Sequence, residues 1–181
     1  MISLKIINKE NFQYFIDDIL DIEKSSFPSP WSLNAFREET NKPASHLWAL
    51  IMNGEFAGYI CFWVFAGEIH LMNIAVHPGR RGKGLGRYML DRMIEAGISR
   101  GIQTAWLEVR PSNLTARRLY EKARFREAGR RPRYYNDTDE DAIVMSLSLL
   151  QNKDHCRGLG KTPCCDLDCD GNASIQVAGD L

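Results

Sequence analysis

Apolar and polar positions along the first 150 residues recur with periods that predict a succession of strands and helices. Residues 2–7 alternate between the two classes and predict a first strand. Between residues 11 and 26 apolar side chains recur at spacings of three and four, which predicts a helix. Two prolines within residues 27–31 end that helix, and Ser32 is placed to cap a second, shorter one.

The rest of this region continues the same succession. In order, the pattern predicts a hairpin of residues 45–52 and 56–65 around Asn53-Gly54, a strand ending at Val76, a helix over 84–100, a strand over 103–110, a helix over 113–123, and strands over 124–131 and 141–149. The order β-α-α-β-β-β-α-β-α-β-β predicts an α+β fold, a single domain with a central, mostly antiparallel twisted sheet flanked by helices.

The periodic pattern ends near residue 150, so we expect a domain over 1–150 and a tail over 151–181. The tail has few large apolar residues, which favours disorder. It also holds four of the five cysteines, but their spacing fits no standard zinc site, and we predict no metal. Residues 166–171 imitate the start of a calcium loop that has Val177 where the twelfth-position Glu belongs. A redox or metal function and a partner-binding segment remain alternatives for the tail.

Composition narrows the classes of partner. The 181 residues carry no net charge and are 44% apolar, which suits one domain with a real core and predicts no general attraction to nucleic acid or to an anionic membrane. No apolar run approaches the roughly 20 residues of a membrane span, and the N-terminus lacks the order of a signal peptide, so we expect a cytoplasmic protein. Only Cys61 lies in the first 150 residues, and nothing indicates an oligomeric state.

A glycine-rich basic loop at a helix start is the most distinctive stretch. It joins the strand ending at Val76 to the long helix, and contains Arg80, Arg81, Gly82, Lys83, Gly84, Gly86 and Arg87. Such a loop is suited to phosphate, because backbone N–H groups and the helix dipole face the ligand. Lys83 lacks the following Ser or Thr of a Walker A loop, and the G-x-G-x-G spacing differs from the Rossmann fingerprint. The R-x-x-G-x-G pattern after N-I-A-V (73–76) instead resembles the acetyl-CoA loop of the GNAT family of N-acetyltransferases.

Acetyl transfer to an amine needs a base for the ammonium proton and an acid for the leaving thiolate. On a strand, Glu108 shares one face with Trp106 and Arg110, and is a candidate base or else a solvated side chain beside Arg110. Tyr120 is a candidate acid, because a phenol is protonated at neutral pH, or else an aromatic packing with Leu119.

Two further features concern the cofactor and the mechanism. Asn113 is either the N-cap of its helix or a cofactor contact. If the strand ending at Val76 splays from the strand over 103–110, its free backbone groups can pair with an extended pantetheine arm. Cys61 lies on an apolar strand and is expected to be a buried hydrophobe, which favours direct transfer in a ternary complex over an acetyl-cysteine intermediate.

Several motifs together resemble one branch of that family, RimI, the ribosomal-protein-alanine N-acetyltransferases. They are P-W-S-x-x-x-F (30–36), N-I-A-V (73–76), the glycine loop through Arg87, W-L-E-V-R (106–110), S-N-x-x-A-x-x-L-Y (112–120), R followed by Y-Y (131, 134–135) and E-D-A-I-x-M (140–145). The resemblance covers about residues 1–150 and implies an acetyl-CoA-dependent enzyme that acetylates the N-terminal alanine of a small-subunit ribosomal protein.

The resemblance also implies roles for individual residues. Glu108 would be the base and Tyr120 the acid. The cofactor would contact Ile74, Ala75, Val76, Arg81, Gly82, Lys83, Gly84, Leu85, Gly86, Arg87 and Asn113. The peptide would lie between Phe27 and Trp31 on one side and a loop carrying Tyr134 and Tyr135 on the other. The sequence departs from the branch at 81–83, where the branch often has Gln and two cations, and in the tail.

Two other functions stay open at this point. The same chemistry could act on a small amine such as a polyamine or an aminoglycoside, for which the basic stretch 124–133 and the acidic stretch 137–141 give conflicting indications. A non-catalytic CoA-binding sensor or assembly partner would bind CoA without depending on Glu108 or Tyr120.

Overall fold

A computed structural model describes residues 1–150, in which seven strands form one sheet. The strands are β1 (Ile2–Ile7), β2 (Ser45–Met52), β3 (Glu55–Phe65), β4 (Glu68–Val76), β5 (Thr104–Val109), β6 (Arg126–Tyr135) and β7 (Glu140–Ser148). Their spatial order is β1-β2-β3-β4-β5-β7-β6, and every neighbouring pair is antiparallel except β4 with β5. The helices of this region are α1 (Ile16–Ser26), α2 (Leu33–Glu39), α3 (Leu85–Ser99) and α4 (Leu114–Lys122), with 3₁₀ turns at Phe12–Tyr14 and Pro78–Arg80. The predicted α+β fold is confirmed.

Local signals account for most element boundaries. Asn53 and Gly54 both have positive φ, as a tight hairpin turn requires. The Ser32 side chain accepts a hydrogen bond from the Ala35 N–H at 3.2 Å and caps α2. Gly101, with φ of 69°, follows the end of α3. The predicted helix over 11–26 is in fact a 3₁₀ turn followed by α1.

The core lies on the two faces of the sheet. On one face α3 and α4 pack with buried residues of β1 to β5 and β7, and α3 contributes the inward stripe Leu85, Met89, Leu90, Met93 and Ile94. On the other face the buried cluster draws on α1, α2 and β1 to β4, and within the described residues it includes none from β5, β6 or β7. That face of β5, β7 and β6 is therefore left without helical cover.

The centre of the sheet opens into a fork between β4 and β5. Their parallel pairing spans four residue pairs, from Glu68 with Thr104 to Leu71 with Leu107. An irregularity at Met72 then shifts the β3–β4 register, after which β4 stays with β3 to Val76. Meanwhile β5 stays with β7 to Val109. The splay that the sequence left open is thus present, and the fork is the gap between residues 72–76 and 108–109.

The last strand pair departs from prediction. We expected a strand to end at residue 131, with Tyr134 and Tyr135 in a loop, but both tyrosines belong to β6. Pairing with β7 resumes at Tyr135 with Glu140 after a register shift, which extends the strand. As an edge strand, β6 can also accommodate Pro132, because proline has no N–H to donate and lies where the pairing with β7 is interrupted.

The predictions for residues 151–181, including the tail cysteines and the calcium-like segment, lie outside the described residues. Within residues 1–150, no helix combines the length and the apolar character that crossing a bilayer requires.

Candidate active site

Two helix N-termini flank the fork, which is where a phosphorylated cofactor was predicted. The chain leaves β4 through the glycine loop into α3, and leaves β5 through residues 110–113 into α4. Gly82 and Gly84 have φ of 78° and 76°, and a Cβ added to either would meet no atom within 4 Å. Their backbone therefore faces open space, as close approach by phosphate requires. A Cβ at Gly86 would lie 3.4 Å from Leu119, so this glycine lets the start of α3 pack against α4.

The arginines of the loop have structural partners. Arg81 donates to the Val76 carbonyl at 3.1 Å and to Ser26 Oγ at 2.7 Å, which ties the end of β4 to α1. Arg87 pairs with Asp91 and donates to the Lys122 carbonyl at 2.9 Å, joining α3 to α4. Arg80 pairs with Glu55, while Lys83 is exposed. Backbone N–H groups and Lys83 are accordingly the main phosphate donors that the loop offers.

The remaining predicted cofactor residues lie at the fork or at the helix starts. Ile74 and Val76 pack against the α3 side of the core and Ala75 into the other, and the backbone of these residues has no pairing with β5 across the fork. Leu85 is buried in the same way. The Asn113 side chain accepts from the Ala116 N–H at 3.1 Å, which confirms the N-cap, whereas its cofactor contact stays a prediction.

Glu108 lies at the fork on the open face of the sheet. Its neighbours Leu107 and Val109 enter the core beneath α3 and α4, so the alternation of the strand turns Glu108 the other way. Arg131 of β6 donates to its carboxylate. The predicted neighbour Arg110 instead pairs with Asp137 and Glu140. The carboxylate is partly exposed and has one cation beside it, a position from which it can accept a proton.

Tyr134 and Tyr135 line the β6 side of Glu108. The Tyr134 hydroxyl is within hydrogen-bonding reach of the Glu108 carboxylate, which raises the pKa of Tyr134. Burial raises the pKa of Tyr135 to about 12, with the Arg110 guanidinium opposing that rise and Glu108 adding to it. Arg110 lies 3.9 Å from the centre of the Tyr135 ring. The two tyrosines therefore stay protonated and lie beside Glu108, where the sequence predicts one side of a peptide groove.

Tyr120 is buried in the core beneath α4, edge-on to Phe125 with ring centres 6.1 Å apart. Burial, and secondarily the nearby Tyr135, raises the pKa of Tyr120 above its ordinary value of 10.0. The packing role considered from sequence is therefore present. The phenol is therefore protonated at neutral pH and has a proton to donate, while its role as the catalytic acid stays a prediction.

The other side of the groove is the loop after α1, residues 27–32. Phe27 is half-buried and follows the last residue of α1. Trp31 packs on Phe36 of α2 with ring centres 5.3 Å apart. Phe27 and Trp31 thus lie on the half of this sheet face that α1 and α2 cover, and Tyr134 lies beside Glu108 on the uncovered half. That a peptide binds between them stays a prediction.

Glu23 is the residue of this region that sequence reasoning missed. It is fully buried, accepts from the Trp31 N–H at 2.6 Å and from Asn73 Nδ2 at 2.8 Å, and receives the Tyr59 hydroxyl. Burial raises its pKa, although the hydrogen bonds from Trp31 and Asn73 oppose the rise. One carboxylate thereby fixes the loop after α1 to β3 and β4. A signal existed, because Glu23 stands four and seven residues after Ile19 and Ile16, on the apolar face of the helix.

A concave cleft also lies outside this region. It has a volume of about 320 Å³ and lies between α4 and the β6–β7 pair, where it is lined by Arg117, Glu121, Phe125, Arg126, Glu127, Ile143 and Met145. None of the predicted site residues borders it. The fork is the better candidate site, because the predicted base, the helix N-termini and the unpaired strand edges converge there.

Comparison with known proteins decides the family. The sequence profile of the Acetyltransferase (GNAT) family matches residues 16–125. The chain belongs to the GNAT acetyltransferase family. It is 41% identical over 131 residues to the [ribosomal protein bS18]-alanine N-acetyltransferase of Escherichia coli (strain K12), covering 71% of this chain and 87% of that protein. The enzyme of that name from Haemophilus influenzae is 35% identical over 134 residues, covering 72% and 90%.

A solved structure agrees with this assignment. The crystal structure of the ribosomal-protein-S18-alanine N-acetyltransferase from Escherichia coli superposes with a TM-score of 0.73 at 34% identity, covering 82% of this chain and 94% of that one. This GNAT protein is accordingly an acyltransferase that uses acetyl-CoA, and the cofactor predicted from the glycine loop is confirmed.

Proposed function

We propose that this GNAT enzyme transfers the acetyl group of acetyl-CoA to the N-terminal α-amine of a ribosomal protein that begins with alanine. Similarity to the bS18-alanine N-acetyltransferases along most of their length supports the substrate class. The observation that carries the chemistry is the position of Glu108, a partly exposed carboxylate at the fork and beside the two tyrosines. A glutamate that was merely solvated on the strand surface would need neither a position at the fork nor two tyrosines beside it.

Each half of the site has its own task in this proposal. The fork edge of β4 and the N-terminus of α3 hold acetyl-CoA, with the pyrophosphate at Gly82, Lys83 and Gly84. The groove between residues 27–32 and the Tyr134–Tyr135 end of β6 holds the peptide, so that its amine meets the thioester where the fork opens. Bringing the two reactants into one geometry supplies much of the rate enhancement in such a reaction.

The chain's own residues then move two protons. Glu108, directly or through a water, accepts a proton from the substrate ammonium and frees the nitrogen lone pair. That nitrogen forms a bond to the thioester carbonyl carbon, the carbon–sulfur bond breaks, and the nitrogen loses its second proton to water, which leaves a neutral amide. Tyr120 donates its phenolic proton to the departing thiolate and regains a proton from solvent afterwards. Burial raises the pKa of the Cys61 thiol to about 12, so this cysteine is unsuited to carry the acetyl group.

The experiment combines acetyl-CoA with a peptide that copies the first residues of the host's bS18, and follows intact mass. Wild type is compared with Glu108→Gln and with Glu127→Gln, a matched change of an exposed glutamate on β6. We expect one acetyl group on the α-amine, a large loss of rate in Glu108→Gln only, and no product from the same peptide with its α-amine blocked.

Two outcomes would contradict the proposal in different ways. Acetylation of spermidine or an aminoglycoside, with the peptide untouched, would replace the substrate class but keep the chemistry. Binding of CoA in calorimetry without transfer to any amine would instead identify a CoA sensor.

A further inference from the structure

Two segments from opposite halves of the sheet meet on the peptide side of the fork. One is the loop 27–32, which follows the helix that covers β3 and β4. The other is the turn 136–139, which joins β6 to β7. The Ser29 hydroxyl donates to Asp137 Oδ2 at 2.8 Å, a contact between residues 108 positions apart. This hydrogen bond bridges the groove from one side to the other.

Arg110 holds the Asp137 side of that bridge in place. Its guanidinium donates to both Asp137 oxygens at 2.8 Å and to Thr138 Oγ1 at 2.6 Å, with Glu140 at 3.7 Å. The Arg110 side chain is only 17% exposed and lies against the Tyr135 ring. The hydrogen bonds from Arg110 and then from Ser29 hold the pKa of Asp137 below its ordinary range, so it remains an acceptor. The turn is thus fixed by the residue that also orients Tyr135.

The Ser29 side is anchored differently. Trp31, two positions along, is held by Glu23 inside the protein. Ser29 itself is exposed, and its contact with Asp137 lies at the surface. The loop therefore has one internal anchor at Trp31 and one exposed contact at Ser29 that can break without disturbing the core.

We propose that Ser29 and Asp137, supported by Arg110, form a latch that closes the peptide groove beside Glu108 and positions the bound N-terminal peptide. The latch rests on the proposed function, since it assigns these residues to the peptide subsite. None of the three exchanges protons with the substrate, so they are positioning residues. A closed latch holds the peptide equally well in the ground state and in the transition state. Its loss should therefore raise the KM for peptide and leave kcat and the KM for acetyl-CoA near wild type.

Kinetics of Ser29→Ala and Asp137→Asn test the latch against a matched control. Asp139→Asn removes the same charge from the same turn, but Asp139 is 81% exposed and faces Arg133 at 4.0 Å. We expect a five- to tenfold rise in peptide KM for Ser29→Ala and for Asp137→Asn, no further rise in the double variant, recovery in Ser29→Thr, and little change in Asp139→Asn. Equal effects of Asp137→Asn and Asp139→Asn, or an unchanged KM in Ser29→Ala, would overturn the latch.

Hydrogen exchange separates failure of the latch from failure of the proposed function. Without any substrate, the backbone amides of residues 27–32 should exchange faster in Asp137→Asn than in wild type or Asp139→Asn. If wild type does not acetylate the peptide, the proposed function fails while this measurement still decides whether the contact holds the loop. Unchanged exchange in Asp137→Asn would reject the latch whatever the substrate.

Discussion

Arg131 on β6 reaches across β7 to pair with Glu108 on β5. The pair joins strands that are not neighbours in the sheet, and its side chains are 57% and 28% exposed. Ion pairs of such exposure contribute at most about 1 kcal/mol to folding. A structural contribution of this size cannot by itself explain a carboxylate at the mouth of the fork.

The two partners of this pair should therefore differ in their effect on activity. In Arg131→Gln we expect the unfolding free energy to fall by less than about 1 kcal/mol and kcat/KM to stay within about tenfold. In Glu108→Gln we expect kcat to fall by roughly 10²–10⁴, the range of general acid–base catalysis. Urea denaturation and initial rates at saturating acetyl-CoA measure both quantities. Similar losses of activity in the two variants would reduce Glu108 to a partner of Arg131.

Removal of the Tyr120 hydroxyl should slow the reaction without unfolding the protein. The ring of Tyr120→Phe still packs against Phe125, so the unfolding free energy should change by no more than about 1.5 kcal/mol. With no proton for the thiolate, kcat should drop by about 10² or more. Tyr88→Phe, a half-buried tyrosine on α3, is the control. Wild-type kcat in Tyr120→Phe would leave the residue with packing alone.

Gly58 on β3 allows the strand that lines the fork to come close. A Cβ at this position would lie 2.5 Å from the Ala75 carbonyl oxygen, so Gly58→Ala must push β3 and β4 apart. We expect a loss of about 1–3 kcal/mol in unfolding free energy and a raised KM for acetyl-CoA, because residues 75–76 line the cofactor edge. Gly129→Ala, where no atom lies within 4 Å of the added Cβ, should change neither. A stable Gly58→Ala enzyme with normal KM would refute this account.

Glu39 should make stability depend on pH. Burial alone would raise its pKa, but hydrogen bonds from Lys42, Ser45 and Trp63 outweigh burial and the pKa lies below the ordinary 4.5. The carboxylate therefore stabilises the fold above pH 4.5, and this contribution disappears as pH falls through the lowered folded-state pKa. Glu39→Gln should lower the unfolding free energy by roughly 1–3 kcal/mol at pH 7, and the difference from wild type should be smaller in acid.

Denaturant titrations at pH 7 and at about pH 3 measure that difference. The exposed neighbour Glu38→Gln serves as the control and should track wild type at both values. If the difference in unfolding free energy stays constant with pH, Glu39 stabilises the fold by packing and not by its charge.

Local chemistry accounts for what the sequence predicted correctly. The turn at Asn53-Gly54, the cap at Ser32 and the strand alternation that places Glu108 opposite Leu107 each depend on neighbouring residues alone. The same holds for the glycine loop, whose conformation follows from residues that tolerate positive φ. These elements could be derived before any tertiary contact was known.

What the sequence could not reveal depends on contacts between distant segments. The partner of Glu108 is Arg131 rather than Arg110, because β6 folds back beside β7 and not beside β5. The irregularity at Met72, where β4 turns away from β5, has no local marker. The Ser29–Asp137 contact likewise requires two halves of the sheet to be in place first.

The fork divides the site into two parts that evolution can alter to different degrees. Along residues 74–76, where we propose that acetyl-CoA binds, the molecule offers main-chain groups, which every amino acid shares, while the side chains pack against the core. Residues 74–76 can therefore be substituted by side chains that still pack well, and the acetyl-CoA site would stay intact. In the proposed peptide groove, recognition would depend on the side chains of Trp31, Tyr134 and Tyr135, so each replacement would change what is recognised. A lineage can thus exchange one acceptor for another while it inherits the same donor.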